Sequence, residues 1–212
     1  VQGGVSRYWV TSSSANSSRV VLWSINGNDS LQCLPDHNAK YGMCMATCMR
    51  ETSESSNSLV AGTYESGHVL FWDVRQTHEP LIVALVHEPS RDGSAVSGLC
   101  FDWQHDTCQG VAGGVDTQLV SFLLDVSRAQ CRVTDRRVTG VKGGTAVVCH
   151  DGSWTRVITG GWDHATRVWS WPLTSVTPVT LKHSASVTDL SLTRDQTLAV
   201  GTSDGHVTLW SL

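Results

Sequence analysis

Short apolar runs that end in an aromatic residue recur along the chain. They are Arg19-Val-Val-Leu-Trp23, His68-Val-Leu-Phe-Trp72, Gln118-Leu-Val-Ser-Phe122, Thr166-Arg-Val-Trp169 and His206-Val-Thr-Leu-Trp210. Alternation and β-branching predict a strand for each. The terminal aromatics lie 49, 50, 47 and 41 residues apart, near the roughly 40 to 45 residues of a four-stranded propeller blade. A second apolar run and a polar turn precede each aromatic strand, as in Leu59-Val-Ala-Gly, Val157-Ile-Thr-Gly and Leu198-Ala-Val-Gly. The turn residues Ser17, Ser66, Asp116, Asp163 and Asp204 all stand six residues before their aromatic, a constancy that in-register hairpins require. Further strands are predicted upstream, at Met43-Cys-Met-Ala-Thr, Val96 to Phe101, Thr145 to Cys149 and Val187 to Leu192. Others follow the aromatics, at Leu81 to Val86 and Val179 to Leu181. No segment carries a helical period long enough to compete. The pattern predicts one all-β propeller region over residues 1–212, of about five blades, with repeats ending near Trp23, Trp72, Phe122, Trp169 and Trp210.

Composition sharpens the picture by exclusion. Of the 212 residues 40% are hydrophobic, enough for a core at this length. Only 16% are charged, and 19 Gly with 9 Trp disfavour a helical bundle. The net charge of -4, with no basic run beyond Arg136-Arg137, excludes a phosphate-binding footprint and hence a nucleic-acid partner. No apolar stretch approaches the roughly 20 residues of a membrane-spanning helix, so no membrane association is expected. Seven cysteines, an odd number without scaffold spacing, read as reduced thiols and place the protein in the cytoplasm and/or nucleus. The first residue is Val1 rather than Met, and the expectation is a chain lacking its true N-terminus.

The last repeat, His183…Val187-Thr-Asp-Leu-Ser-Leu…Leu198-Ala-Val-Gly-Thr-Ser-Asp204-Gly-His-Val-Thr-Leu-Trp210, resembles a WD repeat over its whole length. Gly160-Gly-Trp-Asp-His164 with Arg167-Val-Trp169, and Gly67-His-Val-Leu-Phe-Trp-Asp-Val74, resemble one branch more closely. That branch is the guanine nucleotide-binding protein subunit beta-like protein 1 family, related to the fungal ASTRA-associated protein 1. The resemblance implies a seven-bladed ring of which this chain is an N-terminally truncated part. It implies a non-enzymatic scaffold for protein partners in an ASTRA-like, chaperone-linked assembly that matures phosphatidylinositol 3-kinase-related kinases. The alternative it leaves open is a G-protein β-like subunit binding α and γ partners. It further implies a hydrogen-bonded tetrad of His, Ser or Thr, Asp and Trp in each repeat. The matching residues are His87 and Asp116, then Thr159, Asp163 and Trp169, then His183, Asp204 and Trp210, and no repeat keeps all four. Residues just before the turn Asp lie on a rim where such propellers meet partners, which selects Trp162 above all, with Glu65 and Ser203; Asn16 and Val115 hold equivalent places.

Other motifs carry no chemistry in this context. Gly201-Thr-Ser203-Asp-Gly205 spells a nucleophile-elbow pattern, but a strand follows where the elbow needs a helix. Cys33, His37, Cys44 and Cys48 offer zinc ligands, yet Cys44 and Cys48 are about 13 Å apart at strand rise, and buried thiols acting as small apolar groups are the reading preferred. Gly140-Val-Lys142-Gly-Gly-Thr145 lacks the order of a phosphate loop. The Ser-rich tracts from Ser12 to Ser18 and Glu51 to Ser58 read as loops. No catalytic group, metal, cofactor or small-molecule substrate is expected.

Overall fold

The computed structural model describes residues 8–12, 20–24, 30–35, 37–50, 59–104, 107–139, 143–151, 153–173, 177–193 and 195–212. Asn16, Ser17, most of the Ser-rich tracts, Asn28 and Lys142 fall outside these. Eighteen strands form five antiparallel sheets, each joining consecutive strands. The first holds β1 (Tyr8–Ser12), β2 (Val20–Ser24) and β3 (Ser30–Cys33). A one-turn helix, α1 (Asn38–Tyr41), leads to the second sheet, β4 (Cys44–Arg50), β5 (Leu59–Tyr64), β6 (His68–Asp73) and β7 (Ile82–Leu85). The third holds β8 (Gly98–Trp103), β9 (Gln109–Gly114), β10 (Gln118–Asp125) and β11 (Gln130–Val138). The fourth holds β12 (Thr145–His150), β13 (Arg156–Gly161), β14 (Ala165–Ser170) and β15 (Val179–Lys182). The fifth holds β16 (Val187–Leu192), β17 (Thr197–Thr202) and β18 (Val207–Ser211).

The fold is an all-β propeller. Strands β4, β8, β12 and β16 lie side by side in sequence order and form its innermost layer. Each carries a bulge at its second residue, so Met45, Leu99, Ala146 and Thr188 stand outside the ladder to the next strand. The bulge bends the strand and tightens its twist at the same point in every blade. Four blades share this arrangement, rather than the five or so that the aromatic-tipped strands suggest. Among the described residues the first sheet supplies no inner strand, and β1 packs directly on β4. Trp23 marks a third strand correctly, but an outer hairpin alone does not make a blade.

Apolar seams between successive sheets hold the arc together. Val20 and Leu22 meet Val60, Leu70 and Trp72 in the first seam, where α1 inserts Tyr41. Val69 and Phe71 meet Trp103, Val120 and Phe122 in the second. Leu119 and Val111 meet Val157 and Trp169 in the third, and Ile158 meets Leu190, Leu198 and Val200 in the fourth. Strand β5 is buried along its whole length because seams cover both its faces. Each large side chain so removed from water contributes about 1.5 to 3 kcal/mol, and there are many per seam. Gly110 makes room for this packing: a Cβ there would fall 2.2 Å from the Phe122 ring.

Candidate interaction rim

In the four blades the turn between the second and the third strand opens on the same end of the propeller, beside the start of the inner strand. One bond recurs there. The amide of Glu65 donates to the Met43 carbonyl at 3.0 Å, that of Val115 to Ser97 at 3.0 Å, and that of Ser203 to Ser186 at 2.9 Å. These bonds tie each turn to the chain entering its own blade, so the residues before the turn stand in a row along the rim. Trp162 holds the equivalent place in the fourth sheet, and its carbonyl accepts the Ser186 hydroxyl at 3.1 Å. Trp162 is 47% exposed, unlike the buried Trp72, Trp103, Trp154 and Trp169. Gly143 and Gly144, at φ of +98° and +88°, pass between Val115 and Trp162. A Cβ on Gly144 would come within 3.0 Å of Val115, and one on Gly143 within 3.4 Å of Trp162. The glycines thus keep a low floor between two exposed apolar side chains. Glu65 is tied down differently, its carboxylate accepting the Met43 amide at 2.8 Å. Ser203 is exposed, in the turn between β17 and β18, with no helix behind it.

The polar groups behind this row are varied. His87 is fully buried and its Nδ1 lies 3.4 Å from the Asp116 carboxylate, a long contact. Its Nε2 has no partner, and Ala112 stands where β13 has Thr159. In β13 the Thr159 hydroxyl accepts the Trp169 indole N–H at 2.9 Å. Asp163 takes both guanidinium nitrogens of Arg167, at 3.2 and 2.5 Å, in place of an imidazole. His183 does not reach Asp204. Its Nε2 lies 3.0 Å from the Thr166 hydroxyl of the preceding blade, and burial lowers its pKa. Asp204 instead accepts the hydroxyls of Ser184 and Thr202, both at 2.6 Å, which hold its carboxyl well below the usual range. With Val200 at the hydroxyl position, the Trp210 indole donates to Thr208 at 3.1 Å. Gly62 takes the corresponding place in β5, and the Trp72 indole N–H is left without a partner. In the turn of that blade the Ser66 hydroxyl lies 3.0 Å from His68, whose pKa burial lowers.

A polar clasp that the sequence motifs do not mark joins the third and fourth sheets at the opposite end. Asp102, buried in β8, accepts the Nδ1–H of His150 in β12 at 2.5 Å and the His150 amide at 3.2 Å, while its other oxygen accepts the Trp103 amide at 2.9 Å. The imidazole stacks on Trp154 with ring centres 4.5 Å apart. The separation of 48 residues, one repeat length, is the signal that points to neighbouring inner strands.

Among the described residues no group of three or more His, Cys, Asp or Glu could hold a metal ion, and no helix is long and apolar enough to cross a membrane. Burial pushes the Cys100, Cys131 and Cys149 thiols up to about 12, whereas Cys33 is exposed. Only thiolate reacts appreciably. At mildly alkaline pH a maleimide should therefore label Cys33 well before those three in the folded protein. Mass-resolved labelling in which Cys100 keeps pace with Cys33 would contradict the burial described.

No family model matches the chain. It is 29% identical over 178 residues to guanine nucleotide-binding protein subunit beta-like protein 1 of Mus musculus, covering 84% of this chain and 52% of that protein. The chain thus spans about half the length of the curated relative it matches. Among solved structures it resembles the computationally designed Ika8 protein with a TM-score of 0.62 and 17% identity, over 99% of this chain and 57% of that one, a likeness of fold alone. The repeat pattern, the inner strands bulged at one position in four blades and the likeness to the mouse protein together support a WD-repeat propeller.

Proposed function

We propose that the chain is a non-enzymatic docking scaffold that captures a protein partner on the rim bearing Val115, Trp162 and Ser203. The observation that carries this is the half-exposed Trp162 indole, held beside a glycine floor by a framework that repeats from blade to blade. An indole offers a large rigid apolar area and one donor at little entropic cost, which is why Trp is enriched among residues that dominate interface energy. Glu65 would add a polar boundary to the same rim. The likeness of the Gly160 to Trp169 motif to the beta-like protein 1 branch supports a place in an ASTRA-like, chaperone-linked assembly that matures phosphatidylinositol 3-kinase-related kinases, in the cytoplasm and/or nucleus.

Substituting Trp162 by Ala should reduce capture of the partner from cell extract about tenfold, the loss of a modest hot spot, with the circular-dichroism spectrum and unfolding midpoint unchanged. Undiminished capture by a folded Trp162→Ala protein would remove this residue from the docking surface.

A further inference from the structure

The hairpin of β10 and β11 holds Arg128, Arg132, Arg136 and Arg137, four of the 15 Lys and Arg in a chain of net charge -4. Two of the four are spoken for. Arg128 pairs with Asp125 across the turn, and Arg136 reaches the second sheet, where it donates to the Val86 carbonyl at 2.6 Å and pairs with Glu88 at 3.0 Å. Arg132 and Arg137 make no ion pair among the described residues. The register puts these two on the other face of the sheet. Arg137 opposes Leu119, Asp135 opposes Ser121 and Arg132 opposes Leu123, and directly opposed residues share a face. Leu119 packs in the seam with the fourth sheet, so the row of Arg137, Asp135 and Arg132 is turned toward that sheet. Its charges run plus, minus, plus, and four rungs at strand rise set the two arginines about 14 Å apart.

A cleft of about 300 Å³ opens at the middle of this row. Leu123 forms one wall, and Trp171 with Leu173, from the segment that follows β14, forms the other; all three are half-buried. The walls are fixed. Gln109, opposite Leu123 in β9, accepts the Trp171 indole N–H at 2.6 Å and so sets the ring beside the leucine. The hydroxyls of the buried Ser121 and of Thr134 lie 2.8 Å apart and satisfy each other. What the cleft leaves unmet is therefore apolar area at its centre and positive charge at its two ends.

We propose that this cleft is a second docking surface, which takes an extended segment of a protein partner whose one large apolar side chain is flanked, two residues away on each side, by acidic residues. In an extended segment residues i, i+2 and i+4 line one face, and they span the same distance as the arginines. The apolar anchor then enters between Leu123 and Trp171 while the carboxylates meet Arg137 and Arg132. Asp135 faces the anchor, and a third carboxylate at that place would meet a like charge. The surface thus selects an interrupted acidic pattern over a continuous polyanion. An apolar centre within a polar rim is the usual layout of a protein interface. This surface lies between the outer parts of the third and fourth sheets and shares no residue with the rim of Trp162.

The test is fluorescence anisotropy of a labelled synthetic peptide, Thr-Asp-Thr-Phe-Thr-Asp-Thr, titrated with the purified chain. Saturable binding that weakens as salt is raised is the expected result. A protein carrying Arg132→Gln and Arg137→Gln together should bind about tenfold more weakly, the loss of two exposed charge pairs, with its circular-dichroism spectrum unchanged. Peptides with Ala or Asp in place of the central Phe should bind more weakly still. Trp162→Ala should bind like the parent chain, which separates a failure here from a failure of the rim. No saturable binding, equal binding of the peptide with Asp at its centre, which would mean that any polyanion suffices, or undiminished binding by the folded double variant overturns the proposal.

Discussion

Replacing Phe122 by Ala should lower the unfolding free energy by about 4 kcal/mol, the usual loss for truncating a buried aromatic, read as a fall in the urea midpoint at constant m-value. The ring is almost wholly buried in the seam between the second and third sheets, edge-on to Phe71 at 6.2 Å. It lies over Gly110, directly opposite in β9. The cavity cannot collapse easily, because its walls are strands pinned on both edges and Gly110 contributes no side chain to fill it. A loss below about 1 kcal/mol would mean that the seam repacks freely and that Phe122 does not anchor it. With Ala112 at the hydroxyl position Phe122 has no N–H to satisfy, whereas Trp72, with Gly62 at that position, keeps an indole N–H without a partner.

The second large effect is expected at the clasp. Asp102→Ala strips His150 of the acceptor for its Nδ1–H and for its amide at a largely buried site. A buried donor left unpaired costs more than the bond contributed when made, so the expected destabilisation is about 3 kcal/mol. A double-mutant cycle with His150→Gln separates the coupling from the cost of each truncation. Coupling indistinguishable from zero would show that the two inner strands are held by apolar contact alone.

Much of this architecture was legible in the chain itself, and the failures have physical causes. Third strands announce themselves because Trp72, Phe122, Trp169 and Trp210 close alternating runs at nearly fixed distance from a polar turn. The four inner strands are legible too, near Met43, Val96, Thr145 and Val187, although a bulge at Met45, Leu99, Ala146 or Thr188 interrupts their alternation. Counting aromatic tips credits Trp23 with a blade because the tip marks a third strand whether or not an inner strand stands before it. The turn network was legible only in part. Spacing already shows Val200 in place of the hydroxyl, whereas only the structure shows that His183 turns to Thr166 of the blade before it. Asp102 and His150 carry no local motif at all, and only the repeat length hints that they meet.

The looped-out position in each inner strand has a consequence for how this surface can change. Met, Leu, Ala and Thr occupy it in the four blades, residues of different size and polarity, and none of them is buried. A residue there forms no rung with its neighbour strand, so exchanging it leaves the scaffold's main-chain bonding intact. The four looped-out positions are thus places where a side chain can be exchanged at little expense to folding.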